Sequence, residues 1–128
     1  VRVCFEALNA EGKAVKGARV LILGLAYKAN VDDDRESPSY KLIQKLEAFG
    51  ATVAYHDPFV PVIPPTREHA EYAGRRSVDA ITADYDLILL STGHDEYRRF
   101  DFASLPIPVV DTRNAVAPGC RPAKYYRA

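Results

Sequence analysis

The chain lacks the markers of several large functional classes, and each gap narrows what it can be. Methionine is absent, and the two cysteines, Cys4 and Cys120, stand at opposite ends with no CxxC spacing. Neither has an adjacent His or Asp of the kind that activates a nucleophile, so both are read as non-catalytic. They are expected to be reduced thiols of a cytoplasmic protein and not a disulfide framework. Net charge is missing too: 17 basic and 17 acidic residues give +0. That balance argues against a nucleic-acid partner, which selects a basic excess or stripe. No apolar run approaches the ~20 residues of a membrane span, so no membrane partner is expected. The opening VRVCFEALNAEGK is amphipathic and too polar for a secretory leader. His56, His69 and His94 have no close ligand spacing, so no metal site is expected. With Val1 first and no methionine, the chain reads as a piece of a longer polypeptide.

What is present describes one soluble α/β domain. The 128 residues, 48% apolar and 27% charged, suffice for a core of real size. RVLIL (19–23) is an apolar run of β-formers closed by Gly24. Ser37 is placed to cap a helix with Pro38 at its first position, and Leu42, Ile43, Leu46 and Phe49 recur at helical spacing before Gly50 stops it. ATVAYHDP (51–58) is a second strand, and residues 59–76 read as an exposed loop rich in proline and charge. A short helix is expected over 77–83. DLILLST (86–92) is the most continuous apolar run and hence the central strand. DFASL (101–105) gives a helical turn, and PVVDT (108–112) a fourth strand. Alternating strands and helices imply a Rossmann-like three-layer domain with a mostly parallel sheet of at least four strands. Ligands of such sheets bind outside the carboxyl ends of the strands. Those ends hold Lys28, His56-Asp57, His94-Asp95 and Asp111-Thr112-Arg113-Asn114.

The segment GLAYKANVDDDRESPS (24–39) is the densest in charge. It has one glycine where a dinucleotide fingerprint has three, and its lysine lacks the glycines of a P-loop. Asp57 lies well beyond the ~20-residue offset of the acid in that fingerprint. A receiver domain is excluded, since no acidic pair ends strand one and no aspartate ends strand three. Lys28 and Arg35 nonetheless flank a helix N-terminus that favours an anion. Asp32, Asp33 and Asp34 would hold those cations in place; a plain charged surface loop is the equal alternative. Asp57 could accept a ribose hydroxyl, but a bond to the backbone of the following turn is favoured. His94 is read as a structural strand-end histidine in preference to a base. Arg113 can fork onto phosphate or ribose oxygens.

VLILGLAYKANVDDDRESPSYKLIQKL, YHDPFVP, DYDLILLSTGHDEY and PVVDTRN together resemble the C-terminal domain of the UDP-glucose/GDP-mannose dehydrogenase family, over roughly residues 16–117. The DTRN ending and the aspartate-rich loop are most similar to the UDP-N-acetylglucosamine/UDP-N-acetylmannosamine 6-dehydrogenase branch. The resemblance implies a UDP-sugar-binding domain (16–128) preceded by the end of a linker (1–15). It also implies NAD as cofactor, bound mainly by a separate N-terminal domain, and a central helical segment that makes a homo-oligomer. Such enzymes oxidise the sugar 6-hydroxyl to a carboxylate with two NAD⁺, and their catalytic cysteine lies upstream of this domain. Tyr27, Lys28 and Arg113 would therefore contact the UDP-sugar, and Arg35 would reach the NAD pyrophosphate. No residue here is expected to be catalytic, and this stretch alone is expected to produce no NADH. The alternative is a free-standing nucleotide-binding or interaction module without catalysis.

Overall fold

The computed structural model describes residues 1–35 and 37–128, so Glu36 of the RESPS run lies outside the described residues. A helix, α1 (Arg2–Ala10), opens the chain. Its Ala7 and Leu8 lie one helical turn after Cys4, and all three are buried in the core. β1 (Arg19–Leu23) follows, then α2 (Pro38–Ala48). Ser37 caps α2 as its sequence position requires, accepting from the Ser39 N–H at 3.1 Å. Tyr40, Ile43 and Leu46 are its buried stripe. Phe49, counted with that stripe from its spacing, is instead 55% exposed and packs edge-to-face with Phe5.

β2 (Thr52–His56), β3 (Leu87–Leu90), α3 (Asp95–Arg99), β4 (Val109–Asp111) and β5 (Tyr125–Arg127) complete the domain. The five strands form one parallel sheet in the order β2-β1-β3-β4-β5. Alternate side chains leave a strand on opposite faces. Val20, Ile22, Leu87 and Leu89 therefore join α1 and α2 in one core. Leu21, Leu23, Ile88 and Leu90 join Tyr97 of α3 and Phe102 in the other. This is the three-layer α/β arrangement read from the sequence, with a fifth strand added. No helix among the described residues is long and apolar enough to cross a membrane.

The differences from the sequence reading fall on short elements. Residues 77–83 form no helix. Their hydrogen bonds go elsewhere: Val78 N–H donates to Tyr55 O at 2.9 Å and the Ser77 hydroxyl accepts from Asp57 N–H at 2.8 Å. The 59–76 loop carries a 3₁₀ turn at Ala70–Tyr72 and an antiparallel bridge between Val62 and Arg76. The turn expected at 101–105 is a 3₁₀ turn over Phe102–Ser104.

The strand order decides where a ligand can enter. From β1 the chain steps outward to β2 and then returns across β1 to β3. The connections reverse direction at the β1/β3 pair, which is where a sheet of this order opens a crevice beyond its strand ends. The segments after β1 and after β3 form the walls of that crevice.

Candidate functional site

The wall after β1 is the GLAYKAN turn, and its path is fixed by backbone geometry. Gly24 has φ +92°, and a Cβ there would lie 2.3 Å from Thr92 Cβ and 2.7 Å from Thr92 N. Only glycine lets the end of β1 pass so close to the end of β3. The Thr92 hydroxyl then donates to Ala26 O at 2.8 Å, and Tyr27 N–H donates to Asp33 O at 2.6 Å, closing the turn on itself. Tyr27 emerges 51% exposed, and Lys28 beside it is exposed as well.

Two clefts open on either side of Tyr27. One, of about 200 Å³, is lined by Lys28, Ala29, Thr92, Gly93, Arg98 and Arg113 together with Tyr27. It holds three cations and no carboxylate, in a chain with no net charge. Arg113 is aimed there by two contacts: its Nε donates to Ser91 O at 2.9 Å, and its backbone N–H to Asp111 Oδ1 at 3.0 Å. With Nε tied down, the Nη edge of the guanidinium has no partner among the described residues. Lys28 and Arg98 form no ion pair there either. With no carboxylate lining the cleft, an oxyanion between the three cations relieves their mutual repulsion.

Asp111 holds the Arg113 loop from below. Its Oδ1 accepts from the Arg113 and Ala115 N–H groups, and its Oδ2 from Val116 N–H at 3.0 Å and the Tyr125 hydroxyl at 2.8 Å. Burial alone would raise its pKa. The amides of Val116, Ala115 and Arg113 and the Tyr125 hydroxyl outweigh burial, and the group sits below its ordinary range.

The second cleft, of about 560 Å³, has the opposite character. Asp33, Asp34 and Glu68 line it with Arg35 and His69. Arg35 is gripped at two points by Asp33, Nε to Oδ1 and Nη2 to Oδ2, both at 3.0 Å. That guanidinium holds the Asp33 carboxyl down at about 2. Of the three aspartates expected to order the cations, Asp33 alone does so. Asp34 is buried and accepts the Tyr40 hydroxyl at 2.5 Å, while Asp32 is exposed.

The sequence-predicted residues therefore separate cleanly. Tyr27, Lys28 and Arg113 meet at the cationic cleft, Arg35 lies at the acidic one, and Tyr27 stands between. Arg98 was missed, because a five-residue helix such as α3 has no periodicity that places its side chains. Asp57 and His94 are fully buried and 3.0 Å apart. Asp57 Oδ1 accepts from Phe59 N–H at 2.8 Å, the expected bond to the following turn, and its Oδ2 is occupied by the Leu25 and Ala26 N–H groups and His94. Cys4 is buried, which pushes its thiol up and makes it a poor nucleophile. No group of three metal-ligating side chains assembles among the described residues.

Residues 21–118 match the UDP binding domain of the UDP-glucose/GDP-mannose dehydrogenase family. The chain belongs to this family. A UDP-glucose 6-dehydrogenase of Rhizobium meliloti is 29% identical over 123 residues, spanning 85% of this chain and 26% of that protein. A UDP-N-acetyl-D-mannosamine dehydrogenase of Methanocaldococcus jannaschii is 37% identical over 84 residues, 65% of this chain and 18% of that one. Among solved structures, an NDP-N-acetyl-D-galactosaminuronic acid dehydrogenase of Methanosarcina mazei superposes with a TM-score of 0.79 at 25% identity, over 98% of this chain and 27% of the other. The chain thus spans about a quarter of the length of these family dehydrogenases or less.

Proposed function

We propose that this chain is the nucleotide-sugar-binding domain of an NAD-dependent nucleotide-sugar 6-dehydrogenase, and that the cleft between Lys28, Arg98 and Arg113 takes the diphosphate of its substrate. The observation that carries the reading is three unpaired cations, with no carboxylate among them, at the strand-order reversal of a domain of this family. Arg113 supplies the planar fork that suits two phosphate or ribose oxygens, and Lys28 a point charge. Tyr27 offers its ring at the rim. The cleft is smaller than the ~300–1,000 Å³ of a pocket that encloses a whole small molecule. A ligand held here is left open on one side, as expected of one wall of a shared site in a larger cytoplasmic, oligomeric enzyme.

The residues of the acidic cleft do not make a dinucleotide site by themselves. Three carboxylates face one guanidinium, and the turn after β1 has a single glycine. In this reading NAD is the oxidant of the sugar 6-hydroxyl, bound mainly outside this chain. Arg35, the single guanidinium lining that cleft, is the residue of this chain assigned to its pyrophosphate.

Calorimetric titration of the chain with UDP at low and high salt tests the proposal. One site is expected, weakening as salt rises. Each of Lys28→Ala, Arg98→Ala and Arg113→Ala should weaken it by about tenfold or more, since hydrogen bonds to charged groups contribute ~1.5–3 kcal/mol. Binding that none of the three substitutions alters would overturn it.

A further inference from the structure

Asp57 and His94 belong to neither cleft, yet both ends of the Lys28 turn are fastened to them. Asp57 Oδ2 accepts from the Leu25 and Ala26 N–H groups at 2.7 and 2.9 Å, and faces His94 Nε2 at 3.0 Å. On the other side of the imidazole, His94 Nδ1 lies 2.8 Å from the N–H of Asn30. A backbone N–H can only donate, so Nδ1 is the acceptor. The histidine is then neutral, with its proton on Nε2 and donated to Asp57. One buried pair thus grips residues 25 and 26 through the carboxylate and residue 30 through the imidazole. Only the exposed 27–29 segment is left between the two grips. Asn30 is itself in the left-handed region at φ 61°, and its side-chain oxygen accepts from Asp95 N–H at 3.0 Å. The turn therefore leaves Asn30 in a conformation that His94 and Asp95 both hold.

This geometry does more than fill the interior. In satisfying their own buried polar atoms, Asp57 and His94 tie both ends of the segment presenting Lys28 to the interior. The face of its ring is covered by Phe59, with centroids 4.7 Å apart, so the imidazole is fixed in orientation as well as in tautomer. Resting on the reading of the cationic cleft as a nucleotide site, we infer that Asp57 and His94 are positioning residues. They hold Tyr27 and Lys28 at the cleft and set nucleotide affinity without touching the nucleotide.

Two near-isosteric substitutions separate the two grips. His94→Gln places an amide donor near the former Nε2 and keeps the bond to Asp57, but removes the acceptor for Asn30. His94→Asn places its oxygen near the former Nδ1 and keeps Asn30, but releases Asp57. The measurement is amide hydrogen exchange of the 128-residue chain by NMR, followed by UDP titration of the same samples. In His94→Gln the Asn30 amide should exchange at least about tenfold faster while the amides of β1 and β3 hold, and UDP should bind about tenfold more weakly, the scale of one hydrogen bond. His94→Asn should keep Asn30 protected. Because His94 acts through Tyr27 and Lys28, the losses from His94→Gln and Lys28→Ala should fall short of additivity when the two are combined. Unchanged Asn30 exchange in His94→Gln, or full additivity in the double variant, would overturn the inference. If the wild-type chain bound no UDP, the reading of the cleft would fail, and Asn30 exchange would still decide whether His94 holds the turn.

Discussion

Replacing Gly24 with alanine tests the packing on which the site is built, because the cost can be worked out before the experiment. Two penalties add. A non-glycine residue at φ +92° costs about 1–2 kcal/mol in a left-handed conformation. The new Cβ would also lie 2.3 Å from Thr92 Cβ, 2.6 Å from its Oγ1 and 2.7 Å from its N, so one strand end must move. Overpacking of this kind costs about 1–3 kcal/mol, while the stiffer unfolded chain returns ~0.4–1 kcal/mol. The net loss is roughly 2–4 kcal/mol, against a total stability of ~6–19 kcal/mol for a chain of this length. The variant should fold, with a urea midpoint well below that of the parent and an unchanged m-value. Gly74 is the internal control: its φ is +85°, but nothing lies within 4 Å of the Cβ it would gain. Gly74→Ala should therefore show the conformational cost alone, about 1 kcal/mol. If the two variants lost the same stability, the close approach of the GLAYKAN turn to Thr92 would not be the constraint claimed for it.

Other expectations follow from the buried acids and from His56. Asp111→Ala leaves the Ala115 and Val116 N–H groups buried without an acceptor and should cost roughly 2–6 kcal/mol in denaturant unfolding. Asp111→Ala should also weaken UDP, because Arg113 loses the acceptor for its backbone N–H. Stability should fall on acidification in two stages. Burial is the largest influence on His56 and lowers its pKa below 6.5, so the native state binds fewer protons than the unfolded one. Its contribution is complete above pH 6.5 and is lost as pH falls through the depressed value. Melting temperature measured against pH should show that stage, and His56→Gln should remove it. The second stage begins below 3.8, where Asp57 and Asp111, both lowered in the native state, must take up protons. For Asp57, burial opposes the shift, and the His94 N–H with the Ala26 and Leu25 amides outweighs it.

Elements marked by an apolar run or a helical stripe were legible, and those without one were not. β1, α2, β2, β3 and β4 each carry an apolar run or a helical stripe with a chemical stop at its end, and each appears within a residue or two of its expected place. α1 was visible as amphipathicity without being assigned as a helix. α3 reads DEYRR and β5 YYR, with neither an apolar run nor a repeated stripe, so Arg98 and the Tyr125 hydroxyl were lost with them. The short helix expected over residues 77–83 is absent. Their hydrogen bonds go to Tyr55 and Asp57, and a local pattern does not contain those partners. Lys28 and Arg113 were singled out because parallel sheets bind at strand ends, and Tyr27 through the resemblance of GLAYK to the family motif; all three line the cationic cleft. The pairing of Asp57 with His94 spans 37 positions, and the sequence shows two separate strand-end dyads with no hint that they meet.

The central claim is that the cationic cleft beside Tyr27 binds a nucleotide diphosphate. Its most direct test is an NMR titration of the isotopically labelled chain with UDP, repeated with Lys28→Ala and with Arg113→Ala. The account predicts saturable shifts confined to the amides of residues 27–29, 92–93 and 113, lost in both variants. Shifts centred instead on Asp33, Arg35 and His69, or none up to ~10 mM, an affinity of less than ~3 kcal/mol, would contradict it.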